Sequence, residues 1–320
     1  MKIAFASCMN ATLVPQQSVW DHVAATNPEA LVLLGDSIYL DVPWPQGQHP
    51  RDMSEEEFMH HGLSLYSAQL AVANFAALVR QVPAHAIWDD HDFLWNESYE
   101  EKAIRKRVYA GTVRASRALF NCFCETLEAS LTGDPFPNEV QDFRLWQPDE
   151  PAPGYRYRDL GQGVALHLTD GRSWRVSADL LGQQQRDAIA AQVASLPADA
   201  IHLIASGSVV AQEKGDRWTS FAADFDWLKG LARNHRVLVL SGDIHDNRLT
   251  PIDLGGGHWL FDATSSGAAV PRTFATFGPA LVNYAVVEID AATVTVTCFS
   301  AGAQDRLPLS IDRTLWSRNP

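Results

Sequence analysis

Residues 31–41 read LVLLGDSIYLD, an apolar run that ends at a glycine followed by aspartate, tyrosine and a second aspartate. Such an uninterrupted apolar run is typical of a strand that is covered on both faces of its sheet. Two later segments repeat the arrangement, AIWDDHDF at 86–93 and LVLSGDIHDNRL at 238–249. In each segment carboxylate and imidazole side chains follow the apolar run directly, so the three together predict a polar site at the ends of buried strands.

Short apolar runs alternate with longer amphipathic segments along the 320 residues, and this pattern favours an α/β fold. Strands are predicted at 2–6, 30–34, 85–88, 164–169, 201–205, 236–240, 259–262, 284–289 and 293–299. Helices are predicted at 54–82, at about 97–131, at 183–196 and at 220–234; the first of them opens with the capping-box sequence SEEE at 54–57. Because no internal repeat or linker divides the chain, we expect one domain spanning residues 1–320.

The charge balance restricts the possible partners. Asp and Glu number 38 against 25 Lys and Arg, which gives a net charge of −13. This is the wrong sign for a protein that follows a nucleic-acid backbone, whereas a small phosphorylated substrate in a locally cationic site is compatible with it. The chain has neither a run of about 18 apolar residues nor a leader with a cleavage site, so we expect no membrane partner and a cytoplasmic protein. Its four cysteines are too few and too scattered for a disulfide framework.

Polar residues collect after five of the predicted strands, at the edge where open α/β sheets bind their ligands. They are Cys8, Asp36 and Tyr39, Asp89, Asp90 and His91, Asp170 and Arg172, and Asp243 and His245. Carboxylates crowded at a buried edge repel one another unless cations lie among them, so their concentration predicts bound metal. Aspartate oxygens suit hard ions, while histidine, tyrosinate and thiolate suit iron or zinc, which indicates more than one kind of metal.

Such a metal site suits chemistry at phosphorus. Two ions about 4 Å apart are able to share an aspartate, activate a hydroxide and stabilise an in-line displacement. Arg172 and Arg175, in the segment DGRSWR, carry guanidinium groups that suit the non-bridging oxygens of a phosphate. Each residue also has a structural interpretation, because Gly-Asp pairs are common turn devices, Cys8 and Tyr39 are compatible with a core, and the arginines with ion pairs.

Two Pro-rich stretches, 41–53 and 132–154, are long for loops of a compact domain and are therefore expected to have a role. The first follows the Asp36 segment directly, so we interpret it as a wall of the active site with Trp44 as a candidate contact. Phe274 and Phe277 are further candidates for a pocket that takes an aromatic or nucleotide group.

The ordered set of motifs resembles the metallophosphoesterases of the alkaline phosphatase D (PhoD-like) family, within the calcineurin-like superfamily. Along nearly the whole chain the motifs are FASC, LLGDSIY, IWDDHDF, TDGRSWR, LLGQQQRDAI, LSGDIH, DATSSG and NYAVV. TDGRSWR occupies the place of the family's Asp-x-Arg-x-x-Arg signature. Cys8 stands where ordinary calcineurin-like enzymes have a D-x-H motif.

This resemblance implies a four-layer αββα sandwich of two mixed β-sheets flanked by helices. It also implies a metal-dependent phosphomonoesterase or phosphodiesterase that uses iron with calcium, although magnesium or manganese are alternatives for the hard sites of an intracellular protein. Carried over position by position, the implied metal ligands are Cys8, Asp36, Tyr39, Asp90, Asp243 and His245. Cys8, Asp36 and Tyr39 match the iron side, with Asp36 as the bridge, and Asp89 is an alternative ligand to Asp90.

We therefore predict a phosphatase or phosphodiesterase in which a metal-activated hydroxide attacks phosphorus. In this hypothesis Asp36 and Asp90 act at the metals, Arg172 and Arg175 bind the phosphate, and His91 contacts the phosphate or assists the leaving group. No G-x-S-x-G elbow offers a serine nucleophile. One alternative is a metal- or ligand-binding module on the same fold without turnover. A zinc hydrolase of amides or lactones is another, although an uncharged substrate would not need the two arginines.

Overall fold

The computed structural model describes residues 1–42, 48–104, 110–129, 136–140, 154–211, 216–272 and 279–318. The pocket candidates Trp44, Phe274 and Phe277 and most of the stretch 132–154 lie outside the described residues. The described part of the stretch 41–53 includes a 3-10 turn at Pro50–Asp52.

Each of the predicted strands is present with small shifts at its ends, and further strands join them. The strands are β1 (Lys2–Ala6), β2 (Ala30–Leu34), β3 (Ala84–Ile87), β4 (Arg156–Gly161), β5 (Val164–Leu168), β6 (Ile201–Ser206), β7 (Arg236–Ser241), β8 (Asn247–Gly255), β9 (His258–Ser265), β10 (Asn283–Ile289), β11 (Thr293–Ser300), β12 (Ala303–Gln304), β13 (Leu309–Asp312) and β14 (Ser317–Arg318). The described α-helices are α1 (Val19–Ala25), α2 (Glu55–Leu70), α3 (Ala73–Val79), α4 (Asp90–Phe93), α5 (Glu100–Ile104), α6 (Ala110–Ala129), α7 (Gln183–Ala194) and α8 (Ala222–Asn234).

The strands form two mixed sheets. The first has the order β14-β13-β11-β10-β1-β2-β3, with β12 paired to β11. Within it β1, β2 and β3 are parallel, whereas β10 is antiparallel to β1. The second has the order β4-β5-β6-β7-β9-β8 and is parallel from β5 to β9, with antiparallel strands at both edges. The parallel strands of each sheet thus end at a common edge, where their following loops meet.

The two sheets pack face to face, and helices cover their outer faces. Alternate residues of β1 show why: Ile3 and Phe5 enter the core shared with the second sheet, while Ala4 and Ala6 pack toward the helices of the first. A third core lies between the second sheet and the helices α7 and α8. The layers are therefore helix, sheet, sheet and helix, and the predicted four-layer α/β architecture is confirmed.

The helix predicted over 54–82 is instead two helices, α2 and α3, which meet at an angle of 78°. The capping box at its start is present. Tertiary packing makes the bend: α3 turns so that Phe75 contacts Trp20 of α1 with ring centroids 5.0 Å apart, and the buried Gln69 of α2 pairs with Gln17. No described helix is by itself long and apolar enough to cross a membrane, although this bent pair meets that test of length and composition together.

Strands β4 and β8 were not predicted because their sequences are not apolar. Both are edge strands of the second sheet, with one side unpaired. The proline at position 251 lies within β8, where an edge strand tolerates the missing N–H. Half-exposed edge strands of this kind lack the apolar run that identifies a buried strand.

Candidate metal and phosphate site

Side chains that follow four strands meet at one edge between the two sheets. These residues are Cys8 after β1, Asp36 and Tyr39 after β2, Asp90 and His91 in α4 after β3, and Asp243 and His245 after β7. The Sγ atom of Cys8 lies 3.4 Å from Oδ2 of Asp36, and the Tyr39 hydroxyl lies 3.1 Å from Nε2 of His245. Asp36, Asp90 and His91 each place one potential ligand atom within 4.8 Å of the other two. The residues singled out from the sequence are thus neighbours in space.

The backbone at this edge is strained. Four of the candidate ligands have φ angles in the left-handed region: 63° at Cys8, 52° at Asp36, 71° at Asp243 and 54° at His245. Each non-glycine residue in that region costs on the order of 1–2 kcal/mol and persists only when the surrounding structure imposes it. Backbone strain of this kind is concentrated at functional sites, because it turns side chains in directions that regular structure does not allow.

Two glycines permit the close approach of the loops. A Cβ atom on Gly35, whose φ is +93°, would lie 2.5 Å from Cβ of Asp89. A Cβ atom on Gly242 would lie 2.8 Å from the carbonyl oxygen of Leu34. Distances this short are not tolerated, so the glycines of the two Gly-Asp motifs let the loops after β2, β3 and β7 pack against one another.

The carboxylates at the centre are buried and incompletely hydrogen-bonded. Asp36 is 1% exposed and Asp90 is 5% exposed. Oδ1 of Asp90 and Oδ2 of Asp89 have no hydrogen-bond partner among the described residues. The other oxygen of Asp89 accepts from Nε of Arg172 at 2.7 Å, whereas Asp90 clusters with Asp36 and His91. Because a buried carboxylate oxygen without a partner is costly, a cation beside Asp36 and Asp90 fits this arrangement, and Asp90 fits it better than Asp89.

The pKa values show that the site disfavours negative charge on its own groups. Burial is the largest cause in each case, and it raises the pKa of Asp36 and of Asp89 well above the usual aspartate value. Burial, with the nearby Asp90, raises the pKa of Asp243 to about 6, and burial raises the pKa of the Cys8 thiol to about 11. Aspartates and a thiol collected in this way ionise readily only beside cations, so the donor set fits bound metal ions.

His91 is oriented by Asp41. Its Nδ1 atom lies 2.6 Å from Oδ1 of Asp41, and the other oxygen of Asp41 accepts from the N–H of Asn96 at 2.9 Å. Burial alone lowers the pKa of His91, but the charge of Asp36 and the hydrogen bond with Asp41 outweigh it and raise the pKa to about 10. Since Asp41 engages Nδ1, the ring has Nε2 left for a metal or a substrate.

The two arginines predicted to bind phosphate are engaged with carboxylates. Arg172 is 1% exposed; its Nε donates to Asp89, and its NH1 donates to Oδ2 of Asp216 at 3.0 Å and to the carbonyl oxygen of Ser98 at 3.3 Å. Arg175 donates to Oδ1 of Asp216 at 2.9 Å. Arg172 therefore links Asp89 to Asp216. Direct contact of Arg172 or Arg175 with phosphate stays a prediction.

Several residues that sequence reasoning passed over complete the site, namely Asp41, Asp92, Asp216 and Ser266. Asp92 ties the loop after β2 to α4, because its Oδ2 accepts from the N–H of Ser37 at 3.0 Å. The hydroxyl of Ser266 lies 3.2 Å from Sγ of Cys8 and accepts from the N–H of His245 at 2.8 Å. Asp41 and Asp92 lie inside the motifs LLGDSIYLD and IWDDHDF, so their place in the sequence indicated that they belong to the site. Their roles were not predictable, because the residues that they contact are distant in sequence.

The fold and the site together define a metal-dependent phosphoesterase. Residues 3–276 match the family of PhoD-like phosphatases, and the chain belongs to this family. The family predicted from the ordered motifs is thereby confirmed, and so is the prediction of a hydrolase that acts on phosphoric ester bonds.

Solved structures that resemble this chain do so distantly. A Streptococcus pneumoniae protein described as a predicted phosphoesterase is 11% identical with a TM-score of 0.36, covering 97% of each chain. The Thermus thermophilus protein TT1561 is 10% identical with a TM-score of 0.37, covering 89% of this chain and 93% of its own. Entamoeba histolytica Vps29 complexed with Zn+2 is 8% identical with a TM-score of 0.34, covering 98% of this chain and 100% of its own. The comparison with curated proteins found no match.

Proposed function

We propose that the protein hydrolyses a phosphate monoester or diester of a small molecule by in-line attack of hydroxide at phosphorus, with iron and calcium as its metals. One observation carries the proposal: Asp36, Asp90 and His91 place potential ligand atoms within 4.8 Å of one another, and Oδ1 of Asp90 has no hydrogen-bond partner among the described residues. Further candidate ligands adjoin this cluster, because Cys8 lies beside Asp36 and the Tyr39 hydroxyl lies beside His245. The soft and aromatic donors support iron, and the carboxylate oxygens support calcium, magnesium or manganese.

The candidate ligands fall into two groups around Asp36. Cys8 lies beside its Oδ2 atom, its Oδ1 atom accepts from the N–H of His91 at 3.3 Å, and Asp90 and His91 each place a potential ligand atom within 4.8 Å of Asp36. In this proposal Asp36 would bridge two ions, and Tyr39, Asp243 and His245 would be further ligands. Bound here, the metals supply Lewis acidity that lowers the pKa of the attacking water and offsets charge on the phosphate.

His91 is the proposed general acid. Asp41 holds the ring through Nδ1 and favours the protonated imidazole, which leaves the N–H at Nε2 free to act as the acid. Nε2 then donates its proton to the leaving-group oxygen as the bond from that oxygen to phosphorus breaks. Arg172 and Arg175 are proposed to balance the charge of Asp89 and Asp216, and a direct contact of Arg175 with phosphate would require exchange of its bond to Asp216.

The test is hydrolysis of bis(p-nitrophenyl) phosphate and p-nitrophenyl phosphate by metal-free protein resupplied with iron plus calcium, or with manganese or magnesium. Asp36→Asn should lower kcat/KM on the order of 100-fold and abolish the thermal shift that metal causes, while the circular dichroism spectrum stays unchanged. Asp199→Asn, at an exposed aspartate outside the site, is the matched control. Near-full turnover by a folded Asp36→Asn variant would refute the bridging role, and metal binding without turnover of either ester would favour a binding module.

A further inference from the structure

A groove of about 1000 Å³ opens beside the candidate metal site. Ile244 and His245 lie along it, so it is continuous with the residues that follow β7. Three arginines also line the groove, Arg248, Arg272 and Arg306. The mechanism proposed above uses none of these three.

Two of the arginines are anchored by acidic neighbours. Arg248 forms an ion pair with Oδ2 of Asp246 at 2.5 Å, and Nε of Arg306 donates to Oδ1 of Asp305 at 2.9 Å. Asp305 is in turn held by the side chain of Asn247, which is fully buried and donates to it at 2.8 Å. The guanidinium group of Arg306 is thus positioned in advance, which reduces the entropy lost when it binds a ligand.

The charge of the groove is opposite to that of the whole protein. Its lining has three arginines against Asp246 and Asp305, whereas the chain as a whole carries a charge of −13. The Arg248 side chain is 51% exposed beside its ion pair with Asp246, so its guanidinium has N–H donors that face the solvent. A local excess of arginine in an acidic protein attracts an anion and orients it through paired N–H donors.

We propose that this groove binds a second anionic group of the substrate, so that the preferred substrates are phosphate esters with two anionic centres, such as two phosphates. The inference rests on the proposed function, which places the scissile phosphate at the metal site next to His245. The second anion lies toward Arg248 and Arg306. A neutral or apolar substituent would leave these anchored arginines without a ligand and gain nothing from them.

The test compares AMP with adenosine 3′,5′-bisphosphate, two ligands that differ by one phosphate. Their inhibition constants are measured by competition against whichever chromogenic ester the metal-loaded protein hydrolyses. The bisphosphate should bind roughly tenfold or more tightly than AMP, since one charge-assisted arginine contact contributes about that factor. Arg248→Gln and Arg306→Gln should each reduce this preference severalfold, whereas Arg80→Gln, at an exposed arginine distant in sequence from the groove residues, should leave both constants unchanged.

The outcomes separate this proposal from the proposed function. If neither chromogenic ester is hydrolysed, the proposed function fails, and calorimetric binding of the same two nucleotides still measures the preference. Equal affinity for the two nucleotides in the wild-type protein would overturn the groove proposal. So would a loss of affinity in Arg248→Gln and Arg306→Gln that is the same for AMP as for the bisphosphate, because the arginines would then not recognise the additional phosphate.

Discussion

Acid should destabilise the protein through a pair of buried histidines on the second sheet. His167 is 0% exposed and His202 is 1% exposed. Nε2 of His167 lies 3.1 Å from Nδ1 of His202, and Nδ1 of His167 lies 2.8 Å from the hydroxyl of Tyr155. Burial is the main cause that lowers the pKa of His167 from 6.5 to about 3 and that of His202 from 6.5 to about 4. The folded protein therefore keeps both rings neutral at pH values where the unfolded chain is already protonated.

The direction and size of this pH effect on the free energy of unfolding follow from the linkage between protonation and folding. The stability that these neutral rings allow is present above pH 6.5 and is lost as the pH falls toward 4 and then 3, because in that window these two side chains are protonated mainly in the unfolded state. At about 1.4 kcal/mol for each pKa unit, moving from about pH 7 to about pH 4.5 costs about 2 to 3 kcal/mol for each histidine, or roughly 5 kcal/mol for the pair.

The assay is urea unfolding at the two pH values, for the wild type and for a double variant with His167→Gln and His202→Gln. The double variant is expected to be less stable at neutral pH, because it loses the packing of two rings, but to lose roughly 5 kcal/mol less than the wild type on acidification. His60→Gln removes an exposed histidine and should leave the acid-dependent loss unchanged. Equal losses for the wild type and the double variant would refute the assignment of this acid sensitivity to the buried pair.

Two further predictions concern the site. Asp41→Asn should lower kcat by about 10- to 100-fold with a small change in KM, because the carboxylate that orients His91 is lost. Steady-state kinetics measures both constants, and an unchanged kcat would contradict the role of Asp41 in orienting His91. Arg172→Met should lower the free energy of unfolding by about 3 to 5 kcal/mol, because it leaves Asp89 buried without its cation. Adding Asp89→Leu to that variant should recover much of the loss in urea unfolding, and no recovery would show that the ion pair is not the cause.

The elements that the sequence predicted best are those whose residues are buried on all sides. A strand such as β2, enclosed by two layers, must be apolar throughout, so the run ALVLL at 30–34 identifies it without reference to any partner. The edge strand β8 carries polar residues and a proline, and only its pairing with β9 makes it a strand. The bend between α2 and α3 depends in the same way on a partner, because it forms where Phe75 packs against Trp20 of α1.

The candidate site likewise combines residues that the local sequence indicates with contacts that depend on the tertiary structure. The motifs themselves indicated Cys8, Asp36, His91 and the arginines, because polar residues that directly follow buried strands stand out against the apolar runs. The partners of those residues came only from the tertiary structure: Arg172 faces Asp89 and Asp216, 83 and 44 positions away in sequence, and His91 faces Asp41, 50 positions away.

The amino-acid sequence by itself therefore identified candidate residues for binding metal and phosphate and predicted that they lie at strand ends. Which carboxylates cluster with His91, which one faces an arginine and which one orients the histidine was decided by the tertiary structure alone. The physical reason is that chemical type and burial pattern are local properties of the chain, whereas a charge finds its partner only when the two sheets bring distant loops within a few ångströms of each other.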